Sequence, residues 1–429
     1  MKIQDLYKKF KTCSVISTDT RKLAKDCMYF ALKGDNFDGH KFVQNAFNGG
    51  AKFCVIDNRD SQINDNCILV KDTLKTLQDL ATYHRQQINI PIISLTGSNG
   101  KTTTKELINV VLKTTYNVQS TLGNLNNHIG VPLTLLSFTE DLDFGIVEMG
   151  ANHLKEIEFL CKIAQPNYGL ITNFGKAHLE GFGSIDGVIK AKSELYDYIK
   201  SHDGTVFINS NDNKQKQQIG HYSNIITFGD SPTNDCVVAF KNADPYVNLS
   251  YNARDIKSQL IGDYNYGNIA AAVAIGKHFN VKTEAIKKAI ENYQPDNNRS
   301  EIIKKGNIEI ILDAYNANPT SMLAALKNFK QLNAENKYIF IGDMFELGEE
   351  AKTEHQNIVQ FLESNFQNNI FIIGENFYST KAKPFIQKFA NFNNLKETLE
   401  SLEINDASIL IKGSRGMALE RILNHLKLN

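Results

Sequence analysis

Residues 92–104 read Ile-Ile-Ser-Leu-Thr-Gly-Ser-Asn-Gly-Lys-Thr-Thr-Thr. The apolar start, Ile92–Leu95, predicts a buried strand. Gly97 and Gly100 predict a turn with backbone angles that other residues avoid. A helix is expected from Thr102 to about Lys113, with Leu107, Ile108, Val111 and Leu112 as its buried side. A strand feeding a Gly-rich turn that opens a helix leaves free N–H groups at the helix start, and these together with the helix dipole hold phosphate. The nucleotide-binding loop is therefore read as Gly97, Ser98, Asn99, Gly100, Lys101, Thr102 and Thr103. Lys101 would reach the β- and γ-phosphates, and the hydroxyl of Thr102 would ligate Mg²⁺. The strict phosphate-loop spacing asks for glycine at position 95, where Leu95 stands, so the loop is a shortened variant. The competing reading is a chance Gly-Lys-Thr turn, and the flanking strand and amphipathic helix argue against it.

Working outward, strand and helix patterns alternate on both sides of this loop. Downstream strands are expected at Phe144–Glu148, Gly169–Thr172 and Thr205–Ile208, which implies a mostly parallel sheet covered on both faces. Around Asp230–Ser258 the pattern shortens and predicts antiparallel strands or loops. Upstream, short strands at Met28–Leu32, Lys52–Ile56 and Ile68–Val70 precede a helix over Leu74–Gln86. Past Arg299 the alternation resumes, with strands Ile308–Leu312, Tyr338–Gly342, Ile370–Ile373 and Ser408–Ile411. Helices are expected at Ser321–Gln331, Glu350–Glu363 and Met417–Leu426. Ligands in such sheets collect at the carboxyl ends of strands, here near Asp313, Asp343, Gly374 and Gly413. The fold class is thus α/β in three domains: 1–87, a central P-loop ATPase parallel sheet over 88–297, and a C-terminal Rossmann-like domain over 298–429.

Composition narrows the partners. Forty-seven basic residues balance forty-seven acidic ones, so no net field draws the chain to nucleic acid or to an anionic membrane. The apolar runs are strand-sized, far short of the roughly 20 residues of a membrane span. Met1–Phe10 has no apolar core of a secretory signal. The six cysteines show no CxxC spacing, as expected of free thiols in a reducing compartment. A cytoplasmic enzyme is the expectation.

Three further residues bear on chemistry. Glu148 closes an apolar strand beside the phosphate loop, where a carboxylate can hold Mg²⁺; the alternative is a solvated strand-end acid. His178 also follows a strand, and a lone histidine of this kind is more often a packing or capping residue. Lys192 lies on an expected helix and, taken alone, reads as an ordinary exposed lysine.

Together with the loop, several segments spell out a resemblance. They are Ser17-Thr18-Asp19-Thr20-Arg21, Lys33-Gly34 with Phe37-Asp38-Gly39-His40, Gly123–Leu133, Glu148–Asn152, Ala177–Gly183, Asp313–Pro319, Gly342–Met344 with Glu346–Gly348, and Lys412–Arg415. In this order, over nearly the whole chain, they resemble the Mur ligase family. The resemblance implies an ATP-dependent ligase that joins D-alanyl-D-alanine to UDP-N-acetylmuramoyl-tripeptide through an acyl phosphate, working as a monomer. It implies that Ser17, Thr18, Arg21, Lys33, Gly34, Phe37, Asp38 and His40 hold the nucleotide-sugar end, and that Asn124, Asn126, Asn127 and Asn316 also bind substrate. Glu148 and His178 would serve two Mg²⁺ ions with Thr102. Lys192 matches the lysine that members of the family carbamylate, which would make it a further metal ligand. Asn268 would contact the adenine, and Arg299 and Asp313 would reach the phosphates and ribose from the third domain. The catalytic set is then Lys101, His178, Lys192 and Arg299. Thr20 replaces a serine common in the first segment and keeps its hydroxyl. Asp296-Asn297-Asn298-Arg299 is similar to the diaminopimelate-reading Asp-Asn-Pro-Arg motif of a neighbouring family member but lacks the proline; it is read as hinge plus nucleotide arginine. The alternatives are a folylpolyglutamate-type ligase, which has no use for the N-terminal segments, and a P-loop nucleotide switch.

Overall fold

A computed structural model of the chain describes residues 1–295 and 299–428. Asp296, Asn297 and Asn298 lie outside the described residues, so the hinge reading of that segment is carried only by Arg299.

The strand Ile92–Thr96 is buried along its whole length inside a seven-stranded sheet, between Phe144–Glu148 and Tyr168–Ile171. All six pairings in this sheet are parallel. Its outer members are Val118–Ser120 on one side and Thr205–Asn209, Ile225–Gly229 and Cys236–Val237 on the other. Ligands of such sheets bind outside the carboxyl ends of the strands, and residues 97–101 emerge at the carboxyl end of this one. The helix Lys101–Leu112 buries Leu107, Ile108, Val111 and Leu112. Against it packs Tyr266–His278, apolar nearly all round because it is enclosed on both sides. Small residues allow the approach: a Cβ on Gly276 would lie 2.6 Å from the Val111 side chain. The stretch expected to shorten forms an antiparallel three-stranded sheet, Ala239–Ala243, Tyr246–Tyr251 and Arg254–Ile261.

The N-terminal unit has a four-stranded parallel sheet, ordered Ile16–Ser17, Met28–Phe30, Phe53–Ile56 and Cys67–Leu69. Its long helix Thr73–Gln87 starts at Asp72, whose carboxylate accepts the Lys75 N–H. The helix then packs on Gly130–Leu136 and Glu156–Ala164 of the central unit. Arg85 fastens this join. It is buried, and its guanidinium donates to the carbonyls of Ala164 (3.0 Å), Gln165 (3.1 Å) and Ile88 (3.1 Å) and to Asn167 Oδ1 (3.0 Å). Arg85→Met strands buried acceptors, so a loss of about 3 kcal/mol is expected in urea unfolding, with both units affected together.

The C-terminal unit holds a six-stranded sheet ordered Glu301–Lys305, Ile308–Asp313, Ala407–Lys412, Asn336–Gly342, Ile370–Ile373 and Ile386–Phe389. Only the first pairing is antiparallel. The late strand Ala407–Lys412 inserts between the second strand and the third, which sets Lys412 opposite Asp313 in register. Two expectations change here. Residues 417–426 do not form an α-helix; they form the 3₁₀ turns Arg415–Met417 and Leu419–Asn424, the second entered through Ala418 in the left-handed conformation. Asp343, expected to face ligand, is buried and accepts the N–H groups of Asn376 (3.0 Å) and Phe377 (2.9 Å), so it is structural. Among the described residues no helix is long and apolar enough to cross a membrane. All six cysteines are free.

Candidate active site

A cavity of about 860 Å³ lies between the central and C-terminal units. Its floor is the phosphate loop, residues 98–103. Gly97 sits behind that floor at φ 145°, and a Cβ there would lie 2.0 Å from Thr172 Oγ1. Gly100 is left-handed (φ 77°), and a Cβ there would collide with the Asn268 amide at 2.5 Å. Both glycines are therefore required by conformation and by space. Lys101 folds back so that its Nζ donates to the Gly97 carbonyl at 2.7 Å. Burial pushes this ammonium below its ordinary range; Glu148 opposes the shift and Arg299 adds to it.

Glu148 is 1% exposed, not a solvated acid. Asn126 Nδ2 donates to its Oε1 at 2.8 Å, and its own N–H donates to Thr121 Oγ1. Its Oε2 is buried with no hydrogen-bond partner. A buried carboxylate oxygen is costly to leave unpaired, so this atom fits a cation. Thr102 is buried and lines the same cavity. Among the described residues no cluster of three or more His, Cys, Asp or Glu side chains is arranged for a metal. Mg²⁺ is commonly held by one or two carboxylates plus phosphate oxygens and water.

Lys192 corrects the reading of an exposed lysine: it is 1% exposed. Its Nζ donates to the Ala151 carbonyl at 3.1 Å and lies 5.1 Å from the centroid of the Phe182 ring. Burial first, and the Lys101 charge second, push its pKa well below the ordinary value, against the pull of Glu156 and Glu194. The neutral amine form is therefore favoured here relative to a lysine in water. It stands one layer behind the cavity wall, which Ala151 forms.

From the facing unit come Arg299, Asp313, Tyr315, Asn316, Thr320 and Lys412. The Arg299 guanidinium lies on the Tyr315 ring, 3.7 Å from its centroid, which holds it in one orientation. Asp313 is tied to the buried Lys412 at 2.5 Å, and Lys412 also donates to the Asn316 carbonyl. His178 lines the cavity, but its Nδ1 is hydrogen-bonded to Glu346 across the cleft. That bond holds the Glu346 carboxyl below its usual range, against burial. Asn268 lines the cavity with its amide engaged by Thr104 (3.0 Å) and Asn265 (2.8 Å). Asn124, Asn126 and Asn127 form another wall, and Asn127 Oδ1 accepts the N–H groups of Ile129 and Gly130.

The N-terminal candidates do not line this cavity. Arg21 is exposed and pairs with Asp19 at 2.7 Å, while the Ser17 hydroxyl donates to the Asp19 carbonyl. Thr18 is half-buried beside them. Lys33–Gly34 and Phe37–Asp38 make an exposed hairpin, with Phe37 stacked on Phe42. His40 turns inward instead: it is buried between Asp38 (2.8 Å) and Asp57 (2.9 Å) and braces the hairpin rather than presenting itself to solvent. Lys412, Tyr315, Asn318 and Thr320 were not singled out from sequence as site residues. Lys412 could have been suspected as the one charged residue ending an otherwise apolar strand.

This is a phosphate-loop fold carrying a second α/β unit as the far wall of its nucleotide cleft, and the family models place it. The Mur ligase family catalytic domain matches residues 12–93, the Mur ligase middle domain 95–276, and the Mur ligase glutamate ligase domain 298–416. The chain belongs to the Mur ligase family. Within that family its similarity is to UDP-N-acetylmuramoyl-tripeptide--D-alanyl-D-alanine ligases: that of Bacillus subtilis is 34% identical over 96% of this chain and 92% of its own length. That of Escherichia coli is 31% identical over 97% and 94%. Among solved structures, MurF from Acinetobacter baumannii superposes with a TM-score of 0.84 at 29% identity, covering 99% of this chain and 98% of that one. MurF ligase from Thermotoga maritima in complex with ADP gives 0.85 at 25% identity, covering 97% of each. Folylpolyglutamate synthase from Mycobacterium tuberculosis, at 15% identity and 0.62, shares the fold alone.

Proposed function

We propose that this chain joins D-alanyl-D-alanine to UDP-N-acetylmuramoyl-tripeptide at the expense of ATP, giving the UDP-muramoyl-pentapeptide precursor of peptidoglycan. The observation that carries the reading is the convergence of Lys101, Glu148 with its unpaired oxygen, and Arg299 on one cleft bounded by the 97–103 loop. The division of labour follows the three units, 1–87, 88–297 and 298–429. The exposed Arg21, Lys33 and Phe37 suit a uridine diphosphate, with charge for phosphate and a ring face for the base.

The tripeptide's terminal carboxylate attacks the γ-phosphorus of ATP, forming an acyl phosphate and releasing ADP. The D-alanyl-D-alanine amine then attacks the acyl carbon; the C–N bond forms, the C–O bond to phosphate breaks, and the amine loses its proton. Lys101 and Arg299 face the triphosphate from opposite walls and offset the charge gathering there. Asp313, held by Lys412, is placed for the ribose, and Asn268 marks the adenine end. Thr102, Glu148, His178 and a carbamylated Lys192 would hold Mg²⁺, which when bound neutralises phosphate oxygens. His178 would present Nε2, with its Nδ1 kept on the Glu346 carboxylate. The lowered Lys192 pKa favours carbamylation: CO₂ adds to the neutral nitrogen, a proton leaves, and a carboxylate results. Closure of the cleft would keep water from the acyl phosphate.

Phosphate release from ATP separates the readings. Release should require UDP-muramoyl-tripeptide and, on adding D-alanyl-D-alanine, should match amide formed one for one. Release that ignores both substrates would identify a nucleotide switch instead.

A further inference from the structure

We propose that Asn318 is a positioning residue for the phosphate loop: its side chain hydrogen-bonds Asn99 and so sets the loop when the C-terminal unit is docked. The inference rests on the proposed ligase reading only for its kinetic readout.

Asn99 lies two residues before Lys101 and is held on every side. Its N–H donates to Asn173 Oδ1 (3.1 Å), and its carbonyl accepts from Thr172 Oγ1 (2.6 Å) and Asn173 Nδ2 (2.9 Å). Those partners belong to the central unit. The last bond comes from across the cleft: Asn318 Nδ2 donates to Asn99 Oδ1 at 2.7 Å. Asn318 is 4% exposed, so water does not compete strongly for this bond.

The direction of that amide is fixed by its other end. Asn318 caps the helix Pro319–Gln331: its Oδ1 accepts the Ser321 N–H at 2.9 Å, and Ser321 Oγ returns a bond to the Asn318 N–H. With the oxygen committed to the cap, the NH₂ group points at the loop. Serine, threonine or aspartate would cap this helix as well. Only asparagine caps with one atom and donates with the other, so the cap alone does not explain the residue. Space for the meeting is left by Gly175, where a Cβ would lie 3.0 Å from Asn99 Nδ2 and 3.1 Å from Thr320 Oγ1. Nearby, the Lys176 N–H donates to Thr320 Oγ1 (3.0 Å) and Lys176 Nζ pairs with Glu354 (2.6 Å). Docking of the helix start is thus read by the loop through one side chain.

The test uses the full chain with Asn318→Ser, which keeps a capping oxygen but cannot reach Asn99, and Gly175→Ala, which wedges the same contact without touching the cap. For both, kcat for amide formation should fall about tenfold while KM for ATP stays within about twofold, the size of one lost hydrogen bond spent on positioning. Amide hydrogen exchange across residues 96–102 should quicken about tenfold in both, a readout that needs no ligase activity. Wild-type kcat and wild-type loop exchange in Asn318→Ser, or a loss carried in KM alone, overturns the proposal. A wild-type chain that forms no amide would instead count against the ligase reading, and the exchange measurement would still decide this one.

Discussion

Lys101→Ala is expected to lower the rate of ATP-dependent amide formation by about 10³-fold or more while leaving the fold intact. The residue sits at the first helical position after the left-handed Gly100, and its side chain supplies none of the core: its bonds are to the carbonyls of Gly97 and Ser98 of its own loop. Removing it therefore costs little in packing. It removes a cation from a site where burial and the nearby Arg299 already strain it. On the proposed reading, charge develops beside it during phosphoryl transfer, and the cation offsets that charge. The check is single-turnover ADP formation with the tripeptide substrate, alongside thermal unfolding, where Tm should hold within about 2 °C.

Lys192→Met should separate stability from activity. The lysine is 1% exposed, with one carbonyl partner and, among the described residues, no carboxylate within hydrogen-bonding distance. An apolar side chain of similar volume in its place removes the desolvation cost of the buried amine and should stabilise the fold by about 1–4 kcal/mol, the range found when buried ion pairs are replaced by apolar residues. The pH dependence has a definite sign. The folded pKa lies below the unfolded value, so between the two the unfolded chain binds more protons and wild-type stability rises with pH. The advantage of the variant is therefore greatest in acid and shrinks toward pH ~10.4, where the unfolded lysine also loses its proton. Activity should fall by at least about 10²-fold. Wild-type enzyme in CO₂-depleted buffer should lose activity that bicarbonate restores, and Lys192→Met should not respond.

What could be read from the chain follows from where the information lies. The 92–104 stretch carries its own grammar: an apolar run, two glycines at forced conformations and an amphipathic helix. The structure reproduces the strand as Ile92–Thr96 and the helix as Lys101–Leu112, one residue from expectation. Burial of individual charged residues was not legible. Lys192 stands among alternating polar and apolar neighbours on Ile185–Ser201, and only the third dimension encloses it beneath Phe182 and Ala151. Sheet order was also out of reach. The strand Ala407–Lys412 joins its sheet some hundred residues after its neighbour Ile308–Asp313, so the Lys412–Asp313 pair exists only through register. Asp343 misled for the same reason: strand-end position suggests a ligand group, while its partners, the Asn376 and Phe377 N–H groups, lie on the next strand's exit. The contacts from Asn318 and Glu346 to the central unit depend on how two units dock, which no local pattern encodes.

The central claim is that the cleft turns a carboxylate into a mixed anhydride with phosphate. Ligation run with UDP-muramoyl-tripeptide carrying ¹⁸O in its terminal carboxylate decides it by mass spectrometry of the released phosphate. The account predicts one labelled oxygen transferred to phosphate for each amide bond formed. Unlabelled phosphate released alongside amide product would contradict it.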